Sequence, residues 1–465
     1  MAASASEQLL ESLKTIVGPA GYREGADIES KNYQDAMGAR SIPPLLLLRP
    51  SSTEQVSEIL KLCHGANQPI APQGGMTGLV SAAAPLKGEI SLSFERMKKV
   101  VEVDPFTSSM TVEAGVELQT IQEQADAHDL LFPLDLGARG SCTIGGNLST
   151  NAGGNRVIRY GMTRDLVVGL EAVLADGTII NGLHKLRKNN TGYDLKQLFI
   201  GSEGTLGVIT RAVLKLSPKP SSQVVAMCAV STFAQVADLL VHAQAGLGAN
   251  LSAFEVIWNN TYKLIDRYVP HATVPMSGQF GFYVLIESMG SHADKDSDLF
   301  LEVLSAASEA KLIEEVIVAD SDSKIKNLWT VRDAAAEISP GVGYMHTYDV
   351  SLNVGDMGYF GEEVETRLRA EWPDAILGLF GHIGDGNLHI VIHVGPETRS
   401  LHLAIDEVIY GLIQELHGAV SAEHGIGLMK KQFLPYSKSE PEIALMKALK
   451  QTLDPQGILN PGRVF

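Results

Sequence analysis

Apolar and polar positions alternate along this chain with two different periods, and the switches between them mark out its elements. Residues 7–20 follow the helical period and predict an amphipathic helix. From 44 to 70 an extended run, PLLLLRP, precedes STEQVSEILKLCHGANQ at helical spacing, and IAPQGG then turns sharply. Short β-rich runs come next: ISLSF, VVEVD, MTVEAG, VVGLEAVLADGTII and LGVITRAVLKL. Glycine-rich turns and one helix, ELQTIQEQADAHDLL, separate them. Pro and Ser interrupt the pattern at SPKPSSQ, residues 217–223. Beyond this point helices such as STFAQVADLLVHAQAG alternate with strands such as QFGFYVLIES, and the chain closes on a helix and a Pro/Gly-rich tail. The pattern predicts an α+β protein with a first domain over 1–218, a second over 219–425 and a closing segment over 426–465. The second is expected as an antiparallel sheet with helices on one face.

A chain of 465 residues exceeds what one core usually fills, which agrees with this division. Hydrophobic residues make up 45% and charged residues 20%, an ordinary globular mixture, and no run has the apolar length of a membrane span. The start, MAASASEQLLESLKTIVG, lacks a basic n-region and an apolar h-region, so the cytoplasm is the expected compartment. Peripheral membrane association or an organelle matrix are the alternatives. Lys and Arg total 37 against 54 Asp and Glu, and a net charge of −17 disfavours nucleic acid as a partner. Cys63, Cys142 and Cys228 stand far apart, so neither a disulfide framework nor a thiolate zinc site is expected.

Glycine is dense between Gly137 and Gly207, where backbone is expected close to a ligand. The segment Pro72-Gln73-Gly74-Gly75-Met76-Thr77-Gly78-Leu79 offers consecutive unobstructed N–H groups, as a pyrophosphate requires. Neither GxxxxGK[ST] nor GxGxxG occurs, which leaves a P-loop or a standard Rossmann site unsupported. Small residues beside short polar ones recur at Ser141–Asn147 (with Thr143, Gly145 and Gly146), at Asn151, Gly153 and Gly154, and at Gly201–Ile209 (with Glu203, Gly204 and Gly207).

A second constellation lies further on. Gly381-His382-Ile383-Gly384-Asp385-Gly386-Asn387-Leu388-His389 sets two imidazoles on either side of a glycine turn that permits both rings to reach one point. Ser421-Ala422-Glu423-His424 adds a carboxylate and a third ring. Two imidazoles and a carboxylate suit zinc, with manganese or iron(II) as alternatives, and leave positions open for a substrate. His382, His389 and Glu423 are the candidate ligands, and His424 the candidate general base. Arg332 is the candidate clamp on a substrate carboxylate, Asn387 a group that orients a ligand.

The four glycine-rich segments in this order resemble the FAD-binding domain of vanillyl-alcohol oxidase (PCMH) type, in the branch holding the flavin-bearing component of glycolate oxidase and the D-lactate and D-2-hydroxyglutarate dehydrogenases. HxGDGNxH, SAEHGxG and W-x-x-R at Trp329–Arg332 are similar to motifs of the metal-bearing members. The resemblance implies a two-part FAD domain with a cap domain whose antiparallel sheet is covered by helices. It further implies that residues 72–79 and the three later segments bind FAD, with Asn460 returning to the flavin. Some relatives attach FAD through a His where this chain has Met76, so the implied FAD is non-covalent. The implied reaction oxidises a small D-2-hydroxy acid: the metal holds hydroxyl and carboxylate, His424 takes the proton, and hydride passes from C2 to flavin N5. Electron-transfer flavoprotein, a cytochrome or a quinone is the implied acceptor, and a homodimer the base-rate assembly.

Relatives acting on D-2-hydroxyglutarate carry Thr, Lys and Asn where this chain has Ala336, Thr347 and Val391. The usual cation for a distal carboxylate is missing, with His346 or Tyr348 as possible replacements, so D-lactate or a longer apolar-tailed acid competes with D-2-hydroxyglutarate. Two other classes stay open: a metallohydrolase using the His/His/Glu set, and a flavin electron-transfer protein without its own substrate.

Overall fold

The first amphipathic stretch forms the helix Glu7–Val17, started by Ser6, whose hydroxyl accepts the Leu9 N–H, and ended at Gly18 before Pro19. Its apolar face joins Leu48, Val56, Ile59 and Leu60 in one core. The computed structural model describes residues 6–36, 38, 40–396 and 398–465. The first five residues of the segment read for a targeting signal lie outside the described residues. The chain folds as two units: one runs to Gly153 and resumes over 162–219 and 423–465, and the other comprises 154–161 and 220–422.

The first unit holds two main sheets. In one, Tyr22–Arg23, Leu47–Leu48, Ile90–Ser93 and Ile70–Gln73 lie in that order, with both neighbours of Ile90–Ser93 parallel to it. The C-terminal tail bridges to it at Ile70 and Leu459. The other is antiparallel, in the order Val100–Asp104, Ser109–Glu113, Val208–Lys215, Val167–Val173, Ile179–Gly182. The run VVGLEAVLADGTII thus becomes two strands around the turn at Gly177 (φ 87°). The helix read over ELQTIQEQADAHDLL stops at Asp126, because Leu130–Leu131 pairs as a strand with Ser217–Pro218.

The second unit is a seven-stranded sheet in the order Glu315–Val318, Ser222–Val230, Phe282–Gly290, Leu251–Trp258, Ile376–His382, Asn387–His393, His346–Ser351. Every pairing is antiparallel. Helices cover both of its faces rather than one. Val225, Met227 and Ala229 pack with Tyr262 and Ile265 of one helix and Leu328 and Val331 of another. The alternate residues Ala226, Cys228 and Val230 are equally buried on the other face, where helices Phe233–Leu247 and Ala293–Glu309 lie. A sheet buried on both sides loses the polar alternation that would have revealed this.

The boundary between the units falls at 219/220, and residues from Glu423 onward belong to the first. Residues 154–161, read from sequence with the first domain, join the second unit for a physical reason. Arg156 reaches the buried Glu287 (Nε to Oε1 3.1 Å), Arg159 donates to the Met289 carbonyl, and Ile158 fills the space at Gly384. No helix among the described residues is long and apolar enough to cross a membrane.

Candidate functional site

In the first unit a cleft is walled by residues 72–78, Thr143, Gly145, Gly146, Asn147, Glu203, Gly204, Gly207, Ile209, His424 and Asn460. Strand Ile70–Gln73 delivers the 74–79 loop to it, and helix Ile144–Thr150 forms the facing wall. The two glycine segments touch. A Cβ on Gly75 would overlap the carbonyl oxygen of Ser141, and one on Gly74 would stand 2.6 Å from Thr143 Oγ1. Gly75→Ala is therefore expected to force the loops apart by about 1–3 kcal/mol of overpacking. That is about tenfold to hundredfold weaker flavin binding, read from the flavin absorbance of the purified protein.

Gln73 Oε1, Thr143 Oγ1, Asn147 Oδ1 and Asn460 Oδ1 are buried in this wall and lack hydrogen-bond partners among the described residues. Four orphaned polar atoms converging on one cleft mark a place for a ligand rich in hydroxyl, amide and phosphate groups, and FAD fits that description. Leu79, Ser141, Asn151, Gly153 and Gly154 do not line the cleft. The Ser141 hydroxyl donates to the Ala138 carbonyl. Asn151, at φ 51°, closes helix Ile144–Thr150 while its Oδ1 accepts the Arg164 N–H, so its task is to hold a turn. Gly153 makes room for Glu423, whose Oε1 would lie 2.5 Å from a Cβ there.

Glu203 stands in the same wall at φ 51° and is buried. Its carboxylate accepts the N–H groups of Ile426 (2.7 Å) and Gly427 (2.8 Å), and its carbonyl accepts Asn460 Nδ2 (2.7 Å). Burial pushes its carboxyl up from the ordinary value, and the two N–H donors offset only part of that.

In the second unit, strand register sets the candidate residues on one sheet face. Glu255 pairs with His382, Phe380 with His389, Asp349 with His389 and Thr347 with Val391. Paired residues and those two apart share a face. The turn Ile383–Asp385, closed at Gly386 with φ 88°, folds the strands together, and the His382 and His389 ring centroids stand 5.1 Å apart. His382 Nδ1 lies 2.7 Å from Glu255 Oε1, the arrangement by which a carboxylate orients a ligating imidazole. Arg332 Nε donates to Glu255 Oε2 at 2.8 Å. One Arg332 Nη is 3.2 Å from both ring nitrogens of His382, which puts it over the ring face. Burial pushes the Glu255 carboxyl up, but the charges of Arg332 and His382 outweigh it and hold it below its ordinary value.

Asn387, on the His389 face, is 4% exposed with neither amide atom hydrogen-bonded among the described residues. Asp349 is fully buried; its Oδ2 accepts from the Ala422 N–H, and its Oδ1 lies 3.9 Å from His389 Nδ1. Strand alternation turns His346 and Tyr348 to the opposite face. There His346 Nε2 lies 2.7 Å from the Thr398 carbonyl, and the Tyr348 phenol donates to Asp406. These two are thereby removed from the His389 face, while Thr347 and Val391 remain on it. Glu423 and His424 belong to the first unit. Glu255 and Asp349 were missed from sequence, although Glu255 is a lone carboxylate in the apolar run LSAFEVIW, where an unpaired charge is costly; the mixed run HTYDVS carries no such signal for Asp349.

A PCMH-like pair of sheets with an orphan-lined cleft, in a chain that also forms a seven-stranded antiparallel sheet, is the architecture of a flavoprotein oxidoreductase, and the family models give that class. The family model described as FAD linked oxidases, C-terminal domain matches residues 219–464, and that of an FAD binding domain matches 44–182. The chain belongs to the FAD-linked oxidase family. It is 42% identical over 90% of its length to the mitochondrial D-2-hydroxyglutarate dehydrogenase of Danio rerio, covering 77% of that protein. To the D-2-hydroxyglutarate–pyruvate transhydrogenase of Saccharomyces cerevisiae it is 39% identical, over 90% of this chain and 85% of the relative. Among solved structures, p-cresol methylhydroxylase with substrate bound shares the fold, with a TM-score of 0.78 at 16% identity over 98% of this chain and 96% of that one.

Proposed function

We propose that this protein is an FAD-dependent dehydrogenase that oxidises a D-2-hydroxy acid to the 2-oxo acid, using a divalent cation, zinc first, to hold the substrate. The observation carrying this reading is the shared sheet face of His382, His389 and Asn387, with the His382 ring held by Glu255, Asp349 Oδ1 3.9 Å from His389 Nδ1, and the Asn amide unpartnered among the described residues. The names of the relatives supply the substrate class and its configuration.

His382, His389 and Glu423 would hold the cation, and the orphan-lined cleft the FAD. Flavin bound there would supply a hydride acceptor, and a cation there would supply Lewis acidity toward the 2-hydroxyl. The protein's own part is alignment and proton transfer. A ring nitrogen of His424 takes the hydroxyl proton. Arg332, with Nε fixed by Glu255, turns its Nη edge to the 1-carboxylate, and Asn387 orients the acid. Thr347 and Val391 leave the tail region uncharged, which favours D-lactate or a longer apolar-tailed acid as much as D-2-hydroxyglutarate. The acceptor is a redox protein or quinone.

The test is anaerobic bleaching of the yellow protein by a panel of D- and L-2-hydroxy acids, with metal content measured alongside. Rapid bleaching by D-acids alone supports the reading. A colourless protein with full metal would instead favour a metallohydrolase, and a yellow one bleached by no acid an electron-transfer protein.

A further inference from the structure

The segment Gly425–Leu428 that follows His424 is held from several sides within the first unit. Leu428 N–H donates to the Val80 carbonyl, Val464 N–H donates to the Gly427 carbonyl, and Ile426 and Gly427 N–H both donate to Glu203. Gly425 adopts φ 83°, and a Cβ there would stand 2.8 Å from Glu203 Oε1. Glu203 is itself anchored at two points, its N–H donating to the Ser149 carbonyl and its own carbonyl accepting Asn460 Nδ2, and its backbone is left-handed. A left-handed non-glycine residue carries a conformational cost that other contacts must offset. Here it aims a carboxylate at two successive N–H groups one residue beyond the turn glycine.

We infer that Glu203 is a positioning residue, whose buried carboxylate grips the Ile426 and Gly427 N–H groups and so sets where the His424 ring stands in the cofactor cleft. This rests on the reading of His424 as the base. Gln at 203 keeps the size of the side chain but replaces one acceptor oxygen by an NH2 group facing a backbone donor. Asp is too short to reach both N–H groups from the same anchor. Either change lets the turn move, and a misplacement of about 1 Å at a reacting group costs on the order of a hundredfold in rate.

The experiment measures anaerobic flavin reduction by a D-2-hydroxy acid in purified holoenzyme carrying E203Q, E203D, H424N or E203Q with H424N. Flavin occupancy and substrate KM are determined for each. The expected result is full flavin, little change in KM, a reduction rate about a hundredfold lower in E203Q, and no additional loss when E203Q is placed on H424N. Unchanged rate in E203Q, or losses that multiply in the double variant, would overturn the positioning role. So would loss of flavin from both E203Q and E203D, which would assign the carboxylate to the cradle. If H424N alone reduces as fast as the parent, the base reading itself fails, a separate outcome visible before any Glu203 variant is considered.

Discussion

With His424 replaced by Asn, the protein is expected to purify yellow and metal-loaded while its anaerobic reduction by the best D-2-hydroxy acid slows by about 10²–10⁴-fold, the usual worth of a positioned general base. The side chain lines the cofactor cleft, and it follows Glu423, which occupies the space left by Gly153. Asn is of similar size, so the cradle is kept. It cannot take a proton near neutral pH, as imidazole does at little cost. The loss should appear in the reduction step and not in KM, because the ring acts on the hydroxyl and not on the carboxylate. In His424→Ala, which vacates the space of the ring, imidazole added at millimolar concentration should restore part of the rate. A variant that bleaches at the parental rate would show that hydroxide or another side chain removes the proton.

The legible parts of this molecule were those in which one residue type has one physical use. Gly74 and Gly75 stand where two backbones meet with no room for a Cβ, and so the glycine pattern located the cleft. His382 and His389 flank a turn that only its glycines allow, and the register brings their rings side by side. What stayed hidden depended on parity and on distant pairing. Whether His346 and Tyr348 or Thr347 faces His389 is decided by the pairing of His346–Ser351 with Asn387–His393, which a single strand does not reveal. Residues 154–161 lie inside a glycine-rich stretch yet belong to the other unit through Arg156 and Glu287, residues 131 positions apart. Glu255 was readable in principle, since a carboxylate in the middle of a buried strand needs a partner.

Removing Glu255 is expected to produce the largest loss of stability of any single change in the second unit. The residue is 1% exposed and joins two basic groups, Arg332 Nε at 2.8 Å and His382 Nδ1 at 2.7 Å. Glu255→Ala takes the nearer carboxylate from a guanidinium that is 8% exposed and leaves it the half-exposed Asp333 at 3.5 Å. Stranding one member of a buried ion pair costs about 3–5 kcal/mol, which for a unit of this size lowers the melting temperature by on the order of 10 °C. The apolar replacement of both partners, Glu255→Leu with Arg332→Met, strands no charge and should recover most of that loss. The double variant should nevertheless stay inactive, since it lacks the proposed carboxylate clamp and the group that orients His382. Calorimetry of the two variants separates the contributions. If Glu255→Ala melts like the parent, the pair carries no stability; if the double variant regains turnover as well as stability, Arg332 does not touch the substrate. Recovery of stability without turnover would mean that this buried charge pair is retained for the site, and that the fold would tolerate its loss.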